Sequence, residues 1–77
     1  MNNNGIEKHF GKAIRNWRTR RGLSQQELAR RANLQRTYIS DVERGARNTS
    51  LRSIKKLADA LKVSLQMLFQ FEKIQNK

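Results

Sequence analysis

From Ile6 onward the apolar residues recur at helical spacing, with no run that alternates as a strand would. Phe10, Ala13, Ile14 and Trp17 stand at i, i+3, i+4 and i+7, one stripe of a first helix. Lys8, Lys12, Arg15, Arg20 and Arg21 fall mostly off that stripe, and Trp17, lying on it, reads as core rather than as a base-stacking residue. Gly11 weakens this helix slightly, and Gly22, just past a basic last turn, ends it. Ser24-Gln25-Gln26-Glu27 reads as a capping box, the serine accepting a backbone N–H and the glutamate reaching back. The second helix runs to about Ala32 with Leu28, Ala29 and Ala32 inward, and the two alanines leave room for another helix to cross close by. Asn33 suits the reversal because asparagine tolerates positive φ, and Leu34 plugs the gap between the helices. Gln35 is expected to cap a third helix that ends at Gly45, with Ile39 and Val42 inward and every other position polar.

Beyond a basic loop at Ala46 to Thr49, Ser50 caps a fourth helix. Its stripe is Leu51, Ile54, Leu57, Ala58 and Leu61. Ser64 caps a fifth helix, expected over about 64–75, with two apolar faces. Leu65, Leu68 and Phe69 point one way, and Met67, Phe71 and Ile74 point nearly the opposite way. The pattern predicts an all-α fold, a compact bundle of five helices, with residues 1–5 a flexible N-terminus and residues 6–77 a single domain.

Charge adds a partner. The 77 residues carry 17 Lys and Arg against 6 Asp and Glu, a formal net charge of +11, which points to a polyanion, nucleic acid ahead of an anionic membrane. No apolar run approaches the roughly 20 residues of a membrane span, and the first residues lack the apolar core of a signal peptide. With no cysteine either, the expected location is the cytoplasm. A chain this short buries only roughly 60% of its unfolded surface, so the core has to be well patterned. The single His9, with no cysteine and no carboxylate pair to work with, argues against an enzyme and against a metal site, and no cofactor is expected.

Two short helices joined by a tight turn, the second presenting long polar side chains, form a helix-turn-helix. The major groove of B-DNA admits one α-helix, so a reading helix needs apolar anchors on one face and hydrogen-bonding residues on the other. The stretch Gln35 to Arg44 has that division. The string LSQQELARRANLQRTYISDVERG, followed by RNTSLRSIKKLADALKVS, resembles the Cro and phage-repressor class of helix-turn-helix regulators, also described as the xenobiotic-response-element class, from about Phe10 to Phe69. RTYIS and ERGxRN are further similar to controller proteins of restriction–modification systems. The resemblance implies a lambda-repressor-like DNA-binding domain. Three positions depart from the class: Asn33 where glycine is frequent, Thr49 where proline is frequent, and Trp17 where a smaller aliphatic is usual.

Arg36, Thr37, Ser40 and Asp41 are the expected base-contacting residues, Arg36 being the best guanine reader. Asp41 either accepts from a cytosine amino group or orients Arg36 or Arg44. Gln25, Gln35, Tyr38 and Arg44 are expected at the DNA backbone, and the resemblance adds Arg47 and Asn48. It also implies that Arg18 pairs with Glu43, orienting the third helix without touching DNA.

Met67, Phe71 and Ile74, the second face of helix five, are the expected homodimer interface. A dimer would set two reading helices about 34 Å apart on a pseudo-palindromic operator. The expected function is transcriptional regulation from double-stranded DNA, in the manner of a controller protein acting on its own gene, with RNA polymerase a further partner to be considered. The rivals are a repressor of a phage or mobile element, an antitoxin-type regulator with a protein partner, and a non-specific nucleic-acid binder.

Overall fold

The computed structural model describes residues 5–70. Five helices follow one another: α1 Gly5–Arg20, α2 Gln25–Ala32, α3 Arg36–Arg44, α4 Leu51–Leu61 and α5 Leu65–Leu68, with no strand among the described residues. Three of the starts are written in serine. Ser24, Ser50 and Ser64 have extended backbone, and each Oγ accepts the N–H of the residue three positions on, at 3.0 to 3.1 Å. Gln35 also occupies a helix-start position, but its side chain makes no capping bond, a correction to the expectation.

The ends turn left-handed. The chain leaves α2 at Asn33 (φ 58°), α3 at Gly45 (φ 74°) and α4 at Lys62 (φ 61°). Lys62 lacks the freedom of glycine there, and a second helix end supports the turn. Arg21, just past α1, donates through Nε to the Leu61 carbonyl (2.8 Å) and through Nη2 to the Lys62 carbonyl (3.3 Å), satisfying oxygens that the end of α4 leaves unpaired.

One core joins the elements. Phe10 and Ile14 of α1, Leu28, Ala29 and Ala32 of α2, Ile39 and Val42 of α3, Leu57, Ala58 and Leu61 of α4 and Leu68 of α5 are all buried in it. Trp17 and Leu34 are partly buried against it. Phe69 stacks on Phe10 at a centroid distance of 5.4 Å, which pins the end of α5 to α1. α3 packs against both α1 and α2, and α2 packs against α4.

Two leucines assigned inward lie outside: Leu51 is 85% exposed and Leu65 is 46% exposed. Each is the first residue of its helix. Helical side chains lean toward the N-terminus, so a residue in that place leans past the helix end rather than onto the core. Met67, assigned to an uncovered face, is partly buried against the core instead. The described part of helix five is a single turn, and residues 71–75 of the expected span, Phe71 and Ile74 among them, lie outside the described residues. α1 begins at Gly5, and His9 is half-buried within it.

The capping box is half made. Ser24 caps, but the Glu27 carboxylate accepts from Arg30 and, at 3.0 Å, from Arg31 Nε. Those hydrogen bonds, from Arg30 first and Arg31 second, hold the Glu27 pKa down to about 2. Because the folded value lies below the ordinary one, the contribution is complete above the usual carboxylate range and is lost as pH falls toward about 2. In low salt, the stability difference between wild type and Glu27→Gln should therefore shrink as acid is added below about pH 4.5. Raising the salt should shrink it at every pH, because the arginines are exposed. Urea midpoints across that pH range check both expectations.

Candidate nucleic-acid interface

α3 has two unlike faces. Ile39 and Val42 are no more than 1% exposed and anchor it to the core. Arg36, Thr37 and Arg44 are exposed, and Ser40 and Asp41 are half-exposed. Positions 36, 37, 40, 41 and 44 follow helical spacing, so these side chains share one side of the helix. Gln35 stands exposed at its start, and Tyr38 is partly buried against the core. Arg47 and Asn48 follow in the exposed loop.

The angle of this helix is held by one carboxylate. Glu43, at the end of α3, has a side chain only 6% exposed. It accepts from Arg18 Nε at 2.5 Å and Arg18 Nη2 at 3.0 Å, a two-pronged pair, and from Gln25 Nε2 at 3.0 Å. Arg18 Nη1 also donates to the Leu23 carbonyl at 2.9 Å. The Glu43 hydrogen bonds push the Arg18 pKa above its ordinary value, against the opposing effect of burial. One acidic group thus ties the end of α1, the start of α2 and the end of α3 together. Gln25, expected at the DNA backbone, directs its amide N–H at Glu43.

A second cluster lies on the outer surface. Asp41 Oδ1 accepts from Arg44 Nη2, and Asp41 Oδ2 accepts from Arg47 Nη2 at 3.2 Å. The Arg47 guanidinium also lies over the Tyr38 ring, 4.3 Å from its centroid. Sequence spacing pairs Asp41 with Arg44 readily, as i, i+3 on a helix. It offers no hint of Arg47, which reaches back only because the chain turns at Gly45.

Gly11 is the other residue whose place spacing alone misses. A Cβ there would stand 2.3 Å from the Val42 carbonyl oxygen and 2.8 Å from that of Glu43, so α1 and α3 touch backbone to backbone at this point. Among the described residues there is no cluster of three or more His, Cys, Asp or Glu able to hold a metal, and no helix long and apolar enough to cross a membrane.

This geometry has relatives. The helix-turn-helix family matches residues 14–68. The control protein C.BamHI of Bacillus amyloliquefaciens is 45% identical over 74 residues, 95% of this chain and 91% of that protein. A hypothetical transcription factor of Neisseria meningitidis serogroup B is 47% identical over 55 residues, 71% of this chain but 52% of that protein. The crystal structure of the restriction–modification controller protein C.AhdI from Aeromonas hydrophila superposes with a TM-score of 0.82 at 46% identity, covering 84% of this chain and 98% of that one. The match spans the two helices and turn that carry the polar face as well as the helices that support it, and the chain belongs to the helix-turn-helix family of DNA-binding regulators.

Proposed function

We propose that this helix-turn-helix regulator binds a pseudo-palindromic operator in duplex DNA as a homodimer, in the manner of a restriction–modification controller protein acting on its own gene. The observation that carries the proposal is the division of α3: two buried anchors on one side and Arg36, Thr37, Ser40, Asp41 and Arg44 together on the other. In this reading Arg36 reads a guanine through O6 and N7, Thr37 and Ser40 meet neighbouring base edges, and Asp41 orients Arg44 rather than reading a base. Gln25 at the start of α2, Gln35, Tyr38, Arg44, Arg47 and Asn48 set the register on the phosphates. The ion pair of Arg18 with Glu43 aims α3 without touching DNA.

Residues 6–77 work as one DNA-binding unit, and the segment 64–75 joins two copies through Phe71 and Ile74. The exposed apolar side chain of Leu65 supports an interface on that segment. The chain acts without catalysis, from the cytoplasm, and RNA polymerase is the partner through which occupancy becomes activation or repression. The likeness to control proteins, each covered over most of its length, supports the controller reading ahead of an antitoxin or phage repressor.

Binding to the DNA upstream of its own gene, followed by fluorescence anisotropy at fixed salt, tests this. Wild type should load two chains on a duplex with half-sites one helical turn apart. Arg36→Ala should weaken operator binding by about 10- to 100-fold while changing binding to unrelated duplex far less. Equal affinity of wild type for all duplexes would instead make it a non-specific binder.

A further inference from the structure

Asp41 is a carboxylate on the one surface that has to approach phosphates, and it sits between two arginines of that same surface. Its two oxygens are both engaged, one by Arg44 and the other by Arg47 at 3.2 Å. Arg47 is further held by the Tyr38 ring beneath its guanidinium. The arginine side chains are 64% and 43% exposed, so water reaches both pairs. Exposed pairs are weak and readily exchanged for another anion. A carboxylate bridging two guanidinium groups makes the same kind of charge-assisted hydrogen bonds that a phosphate makes.

We propose that Asp41 is an internal stand-in for DNA phosphate, a specificity-setting residue that holds Arg44 and Arg47 until a duplex displaces it. The inference rests on the DNA-binding reading of this face. With Asp41 in place, every phosphate contact by these arginines has to displace a partner already present, which lowers affinity for all duplexes. An operator regains the difference through base contacts, and an unrelated sequence does not, so the carboxylate widens the gap between them. It also sets the charge of the cluster: two arginines and one carboxylate amount to +1, and removing the carboxylate leaves +2.

The test compares wild type, Asp41→Asn, Asp41→Glu, the double variant Arg44→Gln/Arg47→Gln, and the triple variant with Asp41→Asn added. Each is titrated with an operator duplex and an unrelated duplex over a range of salt, and each is eluted from immobilised heparin. Asp41→Asn should bind unrelated duplex about five- to tenfold more tightly. It should steepen the dependence of log K on log salt by about 0.9. It should also elute from heparin at higher salt and lower the ratio of operator to unrelated binding. Asp41→Glu should restore most of the wild-type behaviour, and in the Arg44→Gln/Arg47→Gln background the effect of Asp41→Asn should vanish.

Unchanged affinity and slope in Asp41→Asn overturn the proposal. So does an equal gain in the Arg44→Gln/Arg47→Gln background, which would make Asp41 a bare repulsive charge. So, too, does a loss confined to one operator base pair with unrelated binding unchanged, the mark of a carboxylate reading a cytosine. A wild type that binds no duplex at low salt, while heparin elution still shifts in Asp41→Asn, would overturn the DNA reading and leave the restraint of the two arginines standing.

Discussion

Replacing Glu43 with Ala should lower the stability of this domain by about 3–5 kcal/mol, although the residue lies at a helix end. The cost arises because Arg18 is left behind. Its side chain is 13% exposed, and its Nε and Nη2 would lose their acceptor in a place water barely reaches. Gln25 Nε2 would lose its partner as well. For a chain of this length such a loss corresponds to a fall in melting temperature of roughly 15–30 °C. That is a large part of the total stability of a small domain. Thermal melts followed by far-ultraviolet circular dichroism read it directly, and a shift of only a few degrees would show the pair to be effectively solvated. Replacing both partners with apolar residues, as in Arg18→Met with Glu43→Leu, should recover much of the loss, because no unpaired charge remains. Operator affinity need not recover with it. The apolar pair fills space but does not fix the angle of α3 as the two-pronged hydrogen bond does.

Gly11→Ala should destabilise the fold, against the usual direction for a glycine in the middle of a helix. Helix propensity alone favours alanine by about 1 kcal/mol. The contact works the other way. The new methyl would meet the Val42 carbonyl oxygen at 2.3 Å and the Glu43 carbonyl oxygen at 2.8 Å, both backbone atoms that cannot rotate aside. Forcing α1 from α3 costs about 3 kcal/mol, at the upper end of ordinary overpacking, so the net effect is a loss of about 2 kcal/mol. Urea denaturation of the two proteins decides the sign. A stabilised variant would mean that α1 and α3 run further apart than the structure has them. The same displacement would shift Glu43, so a weakened operator affinity is expected alongside the lost stability.

These two residues mark where reading along the chain stops being sufficient. Gly11 looks like a mild defect in a helical stripe, because a close approach from another helix leaves no trace in local spacing. Glu43 carries no local sign of being buried. Its pairing with Arg18 follows from family resemblance rather than from any pattern within the segment, and nothing along the chain points to its bond from Gln25. The outward turn of Leu51 and Leu65 has the same origin. The apolar stripe places them correctly by angle, but their position at the first turn lets them lean past the core.

The sequence by itself determined the all-helical class, the serine caps of α2, α4 and α5, the left-handed turn at Asn33 and the anchors Ile39 and Val42 beneath a polar face. All of these follow from short-range rules: helical spacing, capping chemistry and the φ preferences of single residues. Tertiary structure alone decided which charges meet across different elements. Arg18 and Glu43 stand 25 positions apart, and Arg47 reaches Asp41 and Tyr38 only after the chain has turned at Gly45. An ion pair depends on distances of a few ångströms between side chains, and spacing along a helix predicts those only for partners on the same helix.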